Sequence, residues 1–551
     1  MTRHLTPDIY YDPASVAGKA PPINDETDIL IVGAGPAGLS AALAAAGHGL
    51  RVTLVDENPV PIETMGEEVP LHFGGRMGAA VSNRNSVLQG LLDACPQIAE
   101  ALEAGVDVRL GTAVWGVFAQ QPTTAWIDGA VAGLADEQNA YLLRFKQVIV
   151  AAGRRDMGLA FDGWHRPGIM GVSAAHRLAT VYRALESKRA VLIGSDTQAL
   201  ASALALIDSG VHIVAIIEQA GRVIGDPGLL GRLVEHGAQV LTGHVVREAG
   251  GDAFGVRQAC AVAVDSTGRP VDEALIKIEC DTVLLGVAAI PAIELVEAAG
   301  CRTSFQADRG GHVPDTDPAQ RTSLPFVLLA GDCAGIWASK SLDDSIARRE
   351  GRIAAHTALA ALGVDSPRID QAAAPDQSVC DIAANRTAWV RAATVNASNE
   401  PFVCLCEEVT ASEILGQQPP RYLEWTPAEA SLESTMQSDS PNPDVTKRLT
   451  RACMGPCQGR RCREQVAALL GIGAGLSVDD IALASFRPPV RPLSLHQAGQ
   501  IEESPQMHNR WDAWFDMPSQ WTPFWLCTGQ PTVARRPQDS DRPTTASPHE
   551  E

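Results

Sequence analysis

The sequence predicts an α/β protein with two parallel-sheet units and a smaller cysteine-rich module. Three observations predict this class. Apolar runs closed by glycine, typical of buried parallel strands, occur at 28–33 and again at 189–194. A helical pattern follows each run, and few aromatics among many small residues favour close packing of helices on sheets. Finally, five of the 12 cysteines lie between residues 404 and 462.

Length and charge narrow the possible functions. A chain of 551 residues is too long for one core, so two or three domains are expected. The net charge of −21 would repel nucleic acid, which we exclude as a partner. No stretch predicts a transmembrane segment or a signal peptide. We expect a cytoplasmic protein, with peripheral attachment to the inner membrane as an alternative, whose cysteines are free thiols or metal ligands.

The first glycine-rich turn predicts a dinucleotide site. It follows a strand, opens a helix and reads Gly33-Ala34-Gly35-Pro36-Ala37-Gly38. The first glycine allows the tight turn, the second lets a pyrophosphate approach, and the third lets helix and strand pack closely. The helix N-terminus offers N–H groups to the phosphates. Asp56 ends the next strand, where a carboxylate accepts hydrogen bonds from a ribose, and Glu57 is the alternative.

Two later segments favour FAD over NAD in this site. Gly153 closes a strand expected to return beside the first, and Gly331-Asp332 follows another strand and precedes a helix. This second motif resembles the second FAD motif of the glutathione-reductase-like flavoproteins. The resemblance to that family covers residues 28–360. The resemblance implies that Asp332 holds the ribityl and phosphate region of FAD. The alternative is that Asp332 is only a helix cap.

The second unit has a damaged nucleotide turn. It reads Gly194-Ser195-Asp196-Thr197-Gln198-Ala199, so the second and third glycines are missing. The carboxylate of Asp196 would oppose a pyrophosphate by bulk and by charge. Glu218 still ends the next strand, where it could hold a ribose. We predict that this unit keeps its fold but does not use NAD(P)H. A disulfide-reductase activity is not expected either, because no Cys-x-x-Cys occurs before residue 400.

The cysteine-rich segment predicts a metal centre. Cys404 and Cys406 form a Cys-x-Cys pair, and Cys453, Cys457 and Cys462 follow. Four thiolates hold an iron–sulfur cluster, and four also bind zinc. The segment resembles the module of bacterioferritin-associated ferredoxin. That resemblance implies a 2Fe–2S cluster on Cys404, Cys406, Cys457 and Cys462, with Cys453 as an alternative ligand.

The order of these parts resembles the alpha subunit of heteromeric amine and amino-acid dehydrogenases. Relatives include opine oxidases, hydroxyproline dehydrogenases and the FAD subunit of hydrogen cyanide synthase. The resemblance implies an FAD-containing beta subunit, similar to D-amino-acid oxidases, that oxidises a C–N bond and passes electrons to this chain. In some relatives a small ferredoxin-like subunit joins, and an FMN lies at a subunit interface. No catalytic acid–base residue is therefore assigned here.

Two other functions stay open at the level of sequence. A stand-alone NAD(P)H-dependent ferredoxin reductase would need the damaged turn to bind NAD(P)H. A non-catalytic scaffold would need both intact FAD motifs to be relics.

The expected domain organisation follows from these motifs. It comprises an N-terminal arm (1–26), an FAD-binding domain (27–160 and 286–362), a degenerate NAD-like domain (161–285), a linker (363–400), the 2Fe–2S module (401–470) with an inserted loop (417–446), and a C-terminal extension (471–551). The chain departs from the family pattern near 60–78, where Gly74-Gly75 follow Asp56 later than expected.

Overall fold

The structure is a computed structural model that describes residues 21–59, 83–118, 127, 129–271, 274–365, 372–376, 380–423, 431–437, 440–501 and 503. The segment 60–78 and the tryptophan-containing tail past residue 503 lie outside the described residues.

The first part of the chain opens a parallel sheet. Its elements are β1 (Asp25–Glu26), β2 (Ile29–Val32), α1 (Pro36–Ala45), β3 (Val52–Asp56), α2 (Arg84–Ala94), α3 (Gln97–Glu103), β4 (Asp107–Leu110), β5 (Ala113–Phe118), β6 (Ala130–Ala135), β7 (Ala140–Phe145), β8 (Gln147–Val150) and β9 (Arg154–Asp156). Strands β1, β7, β6 and β5 form a separate four-stranded sheet in that order. The last two residues of the expected N-terminal arm thus belong to a sheet, because β1 pairs with β7.

The second part forms the second unit. Its elements are β10 (Ile169–Gly171), α4 (Val172–Thr180), β11 (Arg189–Ile193), α5 (Thr197–Asp208), β12 (His212–Glu218), α6 (Pro227–Glu235), β13 (Gln239–Thr242), β14 (His244–Asp252), β15 (Gly255–Ala263), β16 (Ile276–Glu279), β17 (Thr282–Leu285) and β18 (Ala289–Pro291). A parallel sheet has the order β10-β17-β11-β12-β13, and β14, β15 and β16 make an antiparallel sheet beside it.

The chain then returns to the first sheet. The elements are α7 (Glu294–Ala298), β19 (Thr303–Gln306), β20 (Gly311–Pro314), β21 (Val327–Leu329), α8 (Ala338–Leu342) and α9 (Asp344–Ala361). Strand β21 pairs in parallel with β8 and completes the order β21-β8-β2-β3-β4. The carboxyl ends of β2, β3 and β8 lie side by side, since Val32 is in register with Val55 and with Val150. Ligands bind at this edge of parallel sheets.

The C-terminal part is mostly helical. Its elements are α10 (Ile382–Val390), β22 (Phe402–Cys404), β23 (Val409–Thr410), α11 (Ala411–Leu415), α12 (Leu432–Met436), α13 (Pro443–Thr450), α14 (Arg463–Ala474) and α15 (Leu495–Gln500). The expected linker contains α10, whose Trp389 is fully buried. The expected inserted loop contains α12 and the start of α13.

The cysteine module packs on the second unit and on the end of the expected FAD-binding segment that leads into it. One continuous core contains Phe161 and Ile193 together with Trp389, Cys404 and Leu469. Gln465 on α14 accepts a hydrogen bond from the backbone N–H of Ala160 at 2.8 Å. The module is therefore part of the folded body. Among the described residues, no helix is both long and apolar enough to cross a bilayer.

Candidate functional site

The first glycine-rich turn is tightly packed at Gly33 and Gly38 and open at Gly35. Gly33 has a φ of +106°, and a side chain there would overlap the carbonyl of Ala151. A side chain at Gly38 would overlap the carbonyl of Gly33, because α1 packs closely on β2. By contrast, no atom lies within 4 Å of the position where Gly35 would carry a side chain. The turn thus leaves room for a ligand at the N-terminus of α1, where Pro36 takes the first helical position.

The strand-ending carboxylate holds the shape of this turn. Asp56 accepts hydrogen bonds from the N–H of Ala34 at 2.5 Å and from the N–H and side chain of Asn58 at 2.8 and 2.7 Å. Its neighbour Glu57 is half exposed and forms an ion pair with Arg491. Both carboxylates line the same cavity as Gly35. Asp56 therefore braces the turn, and each carboxylate is placed where a ribose hydroxyl could donate to it.

A buried ion pair holds the Gly331-Asp332 turn. The ammonium of Lys340 is fully buried and lies 2.7 Å from the Glu350 carboxylate and 2.9 Å from the Gly331 carbonyl. Glu350 also accepts the N–H of Gly331 at 2.8 Å. Asp332 pairs with Arg154 at 3.2 Å. The caps of α8 and α9 are Trp337 and Asp343, so Asp332 caps neither helix.

One cavity of about 560 Å³ joins these motifs. It is bounded by the turn with Gly33, Gly35 and Pro36, by Asp56 and Glu57, by Gly153 and by Asp332. Gly153 has a φ of +75° and open space beside it. Arginines that the sequence analysis did not assign to this cavity also line it: Arg154, Arg155, Arg177, Arg460, Arg461 and Arg491. Arg154 and Arg155 directly follow Gly153 in the sequence, and this position could have indicated that they line the cavity.

These features fit FAD. The open space at Gly35 and Gly153 can take a pyrophosphate close to the backbone, and the arginines suit an anionic ligand. Ala37 and Gly38 are buried in α1 and serve its packing, as the motif requires.

An acidic group also lies in the cavity wall. Burial raises the pKa of the Asp156 carboxyl to about 6, although the hydroxyl and N–H of Ser173 donate to it at 2.9 Å. Asp156 thus changes charge near pH 6 rather than near pH 4.

The second glycine-rich turn is covered by its own chain. Asp196 caps α5 by accepting the N–H of Ala199 at 2.7 Å. Ser195 donates its hydroxyl to the fully buried Glu218 at 2.6 Å and accepts the N–H of Ile224 at 3.2 Å. A side chain at Gly225 would overlap Ser195 and Asp196, so the loop after β12 lies directly on the turn. The loop therefore contacts the turn at Ser195 and Asp196, and Glu218 is engaged in a contact within the chain.

No described cysteine next to the first cavity forms a redox pair. Helix α4 borders the cavity with Ser173, Ala174 and His176, and it contains no cysteine. Cys333 is fully buried, and burial raises the pKa of its thiol to about 11. Such a thiol is unreactive at neutral pH.

Five thiols come together in the C-terminal module. The Cys404 thiol contacts that of Cys462, and the Cys406 thiol contacts that of Cys457. Cys453 lies beside Cys462, with 3.6 Å between the two sulfur atoms. All but Cys406 are buried. Within the described ranges no three or more Cys, His, Asp or Glu side chains have the arrangement of a metal cage.

The surroundings of these thiols are positively charged. The hydrogen bond from Cys406 and the charges of Arg461 and Arg460 lower the pKa of the Cys457 thiol to about 5. Arg463 is 2% exposed, and its Nε and Nη1 have no hydrogen-bond partner in the described structure. A buried cation needs a compensating anion. An all-sulfur donor set beside buried arginines fits a negatively charged iron–sulfur cluster and, by its donors alone, also zinc.

Comparisons with known proteins agree with this geometry. The family model described as pyridine nucleotide-disulphide oxidoreductase matches residues 27–361. The chain is 26% identical over 506 residues to an opine oxidase subunit from Agrobacterium tumefaciens, covering 87% of this chain and 92% of that one. It is also 26% identical over 515 residues to the hydrogen cyanide synthase subunit HcnB of Pseudomonas protegens, covering 85% and 99%.

A solved structure extends the likeness to most of the fold. The crystal structure of L-proline dehydrogenase from P. horikoshii is similar with a TM-score of 0.56 at 17% identity, over 87% of this chain and 80% of that one. The predicted resemblance to FAD subunits of this kind and the expected oxidoreductase class are both confirmed.

Proposed function

Because the chain belongs to the pyridine nucleotide-disulphide oxidoreductase family, we propose that it is the FAD and 2Fe–2S electron-transfer subunit of a heteromeric dehydrogenase for amines, opines or amino acids. A partner flavoprotein, similar to D-amino-acid oxidases, oxidises the C–N bond of the substrate. This chain takes the electrons and passes them to an external acceptor. Two relatives named as subunits of an opine oxidase and of hydrogen cyanide synthase support this role.

One observation carries the proposal: the cavity lined by Gly35 is also lined by Arg460 and Arg461, which lie in sequence between Cys457 and Cys462. A flavin in that cavity and a cluster on the thiols would share this wall. FAD would be held by the 33–38 turn, Asp56 or Glu57, Gly153 and Asp332. The cluster would be held by Cys404, Cys406, Cys457 and Cys462, with Cys453 as the reserve ligand. FAD supplies two-electron chemistry, and the cluster supplies one-electron transfer.

The covered second turn argues against a stand-alone NAD(P)H-dependent reductase. Ser195 donates to Glu218 and accepts from Ile224, so the turn and the strand-ending carboxylate are engaged within the chain, and Asp196 adds a negative charge at the turn. An electron source other than NAD(P)H agrees with a partner subunit.

The test is anaerobic purification of the full chain together with a candidate flavoprotein partner, followed by assays of flavin, iron and sulfide. We expect FAD with two irons and two sulfides per chain, bleaching by candidate amines only when the partner is present, and no rapid bleaching by NADPH. Cys457→Ser should remove the iron and keep the FAD, whereas the matched buried control Cys333→Ser should keep both. Flavin without iron or sulfide in the wild-type chain would refute the cluster, and fast reduction by NADPH would refute the electron-transfer role.

A further inference from the structure

Two buried arginines line the cofactor cavity and also interact with the segment that carries the thiols. Arg460 and Arg461 are each 8% exposed and line the cavity that contains Gly33 and Asp332. On the other side, Arg460 donates from its Nε to the Cys457 carbonyl at 3.1 Å. The charge of Arg461 acts on the thiols of Cys457 and Cys406.

The backbone here is fixed rather than loose. A side chain at Gly158 would overlap the carbonyl of Arg461, so the two chain segments are in contact. Gln465 donates to that same carbonyl at 3.2 Å and accepts from the N–H of Ala160 at 2.8 Å. Gly158 and Met157 continue the chain from Gly153 along the cavity wall. The position of the arginine pair is thereby tied to the FAD domain.

Other charges near the thiols lack this double contact. Arg463 stacks on the ring of Phe486 at 3.3 Å and donates to the Gln458 carbonyl at 2.8 Å, and it does not line the cavity. Arg451 is half exposed and pairs with Glu407 at 2.6 Å. Arg448 on α13 is exposed.

We infer that Arg460 and Arg461 are positioning residues that raise the reduction potential of the thiolate-held cluster. This inference rests on the proposed function. Transfer of one electron from the reduced flavin adds one negative charge to the cluster and forms or breaks no covalent bond. A fixed positive charge in a water-poor site stabilises the more negative state, and burial keeps solvent from screening it.

The experiment is a potentiometric titration of the full complex, with the cluster signal followed by electron paramagnetic resonance. Arg461→Gln should lower the cluster potential by at least the equivalent of a tenfold change in the reduction equilibrium, which is 59 mV for one electron. Arg461→Lys keeps the charge and should recover most of that shift. The exposed control Arg448→Gln should leave the potential unchanged, because water and salt screen its charge.

The assays of iron and sulfide separate the two hypotheses. A wild-type chain without iron would refute the proposed function and the inference together. Normal iron in Arg461→Gln with a potential equal to that of Arg448→Gln would overturn the inference alone. If Arg461→Gln loses iron, Arg460→Gln takes its place, and an unchanged potential in that variant overturns the inference.

Discussion

The two glycine-rich turns at 33–38 and 194–199 follow equivalent strands but differ in what lies above them. The first is open at Gly35, and the second is covered by the loop that carries Gly225. Each region also contains a buried carboxylate. Glu350 pairs with Lys340 and supports the wall of the open site, whereas Glu218 binds Ser195 and closes the other. One fold therefore yields a cofactor site or a structural block, depending on a few contacts over the turn.

The buried ion pair should give the largest effect. Lys340→Met would leave the Glu350 carboxylate buried without its cation, so we expect a loss of about 3–5 kcal/mol in the free energy of unfolding. The first transition of urea unfolding, followed by flavin fluorescence, measures this. Lys340→Met combined with Glu350→Gln should recover part of the loss. Arg348→Met breaks the exposed pair with Asp344 and should cost less than about 1 kcal/mol. Equal losses in the two single variants would show that the pair does not brace the open site.

The first turn can be given the carboxylate that the second turn carries at Asp196. Gly35→Asp places a carboxylate in the free space, as Asp196 does in the second turn, and its charge should weaken FAD binding about 100-fold, or about 2.7 kcal/mol. Titration of flavin fluorescence quenching measures the dissociation constant. Gly35→Ala adds bulk without charge in a position with no close neighbour, so it should have a smaller effect. Tight FAD binding by Gly35→Asp would place the cofactor elsewhere.

The sequence predicted the elements around both turns because their patterns are local: an apolar run, glycines and a helix. It predicted that Asp196 would oppose a phosphate, and the structure places that residue as the cap of α5. The contact between the loop at Ile224 and Gly225 and the second turn could not be predicted, because no sequence pattern links those two residues to Ser195. Arg491 could not be foreseen either, because it reaches Glu57 from more than 400 residues away in the chain. Pairing among the five cysteines depends on loop geometry that spacing does not define.

The contact that closes the second turn can be tested directly. Gly225→Ala would push a methyl group into Ser195 and Asp196, and we expect a loss of about 1–3 kcal/mol in stability from overpacking. Gly221→Ala, in the same loop, meets no atom within 4 Å and should change stability by less than about 0.5 kcal/mol. Thermal unfolding of both variants at one pH gives the comparison. If the two variants behave alike, the loop does not lie on the turn in solution.

The smallest effect concerns the charge of Glu218. Burial raises the pKa of this carboxyl above its ordinary value, despite hydrogen bonds from Ala220 and Ser195. A carboxyl whose folded pKa is raised stabilises the fold at pH values below its unfolded pKa, and that stability is lost as the pH rises through the folded value. Glu218→Gln cannot ionise, so its stability relative to the wild type should rise between pH 4 and pH 8. Urea midpoints of both proteins across that range give the difference, and parallel pH profiles would contradict it. Burial of the ionised Glu218 carboxylate costs free energy, and the carboxylate accepts the Ser195 hydroxyl. This hydrogen bond holds the second turn against its loop, whereas the first turn stays open at Gly35.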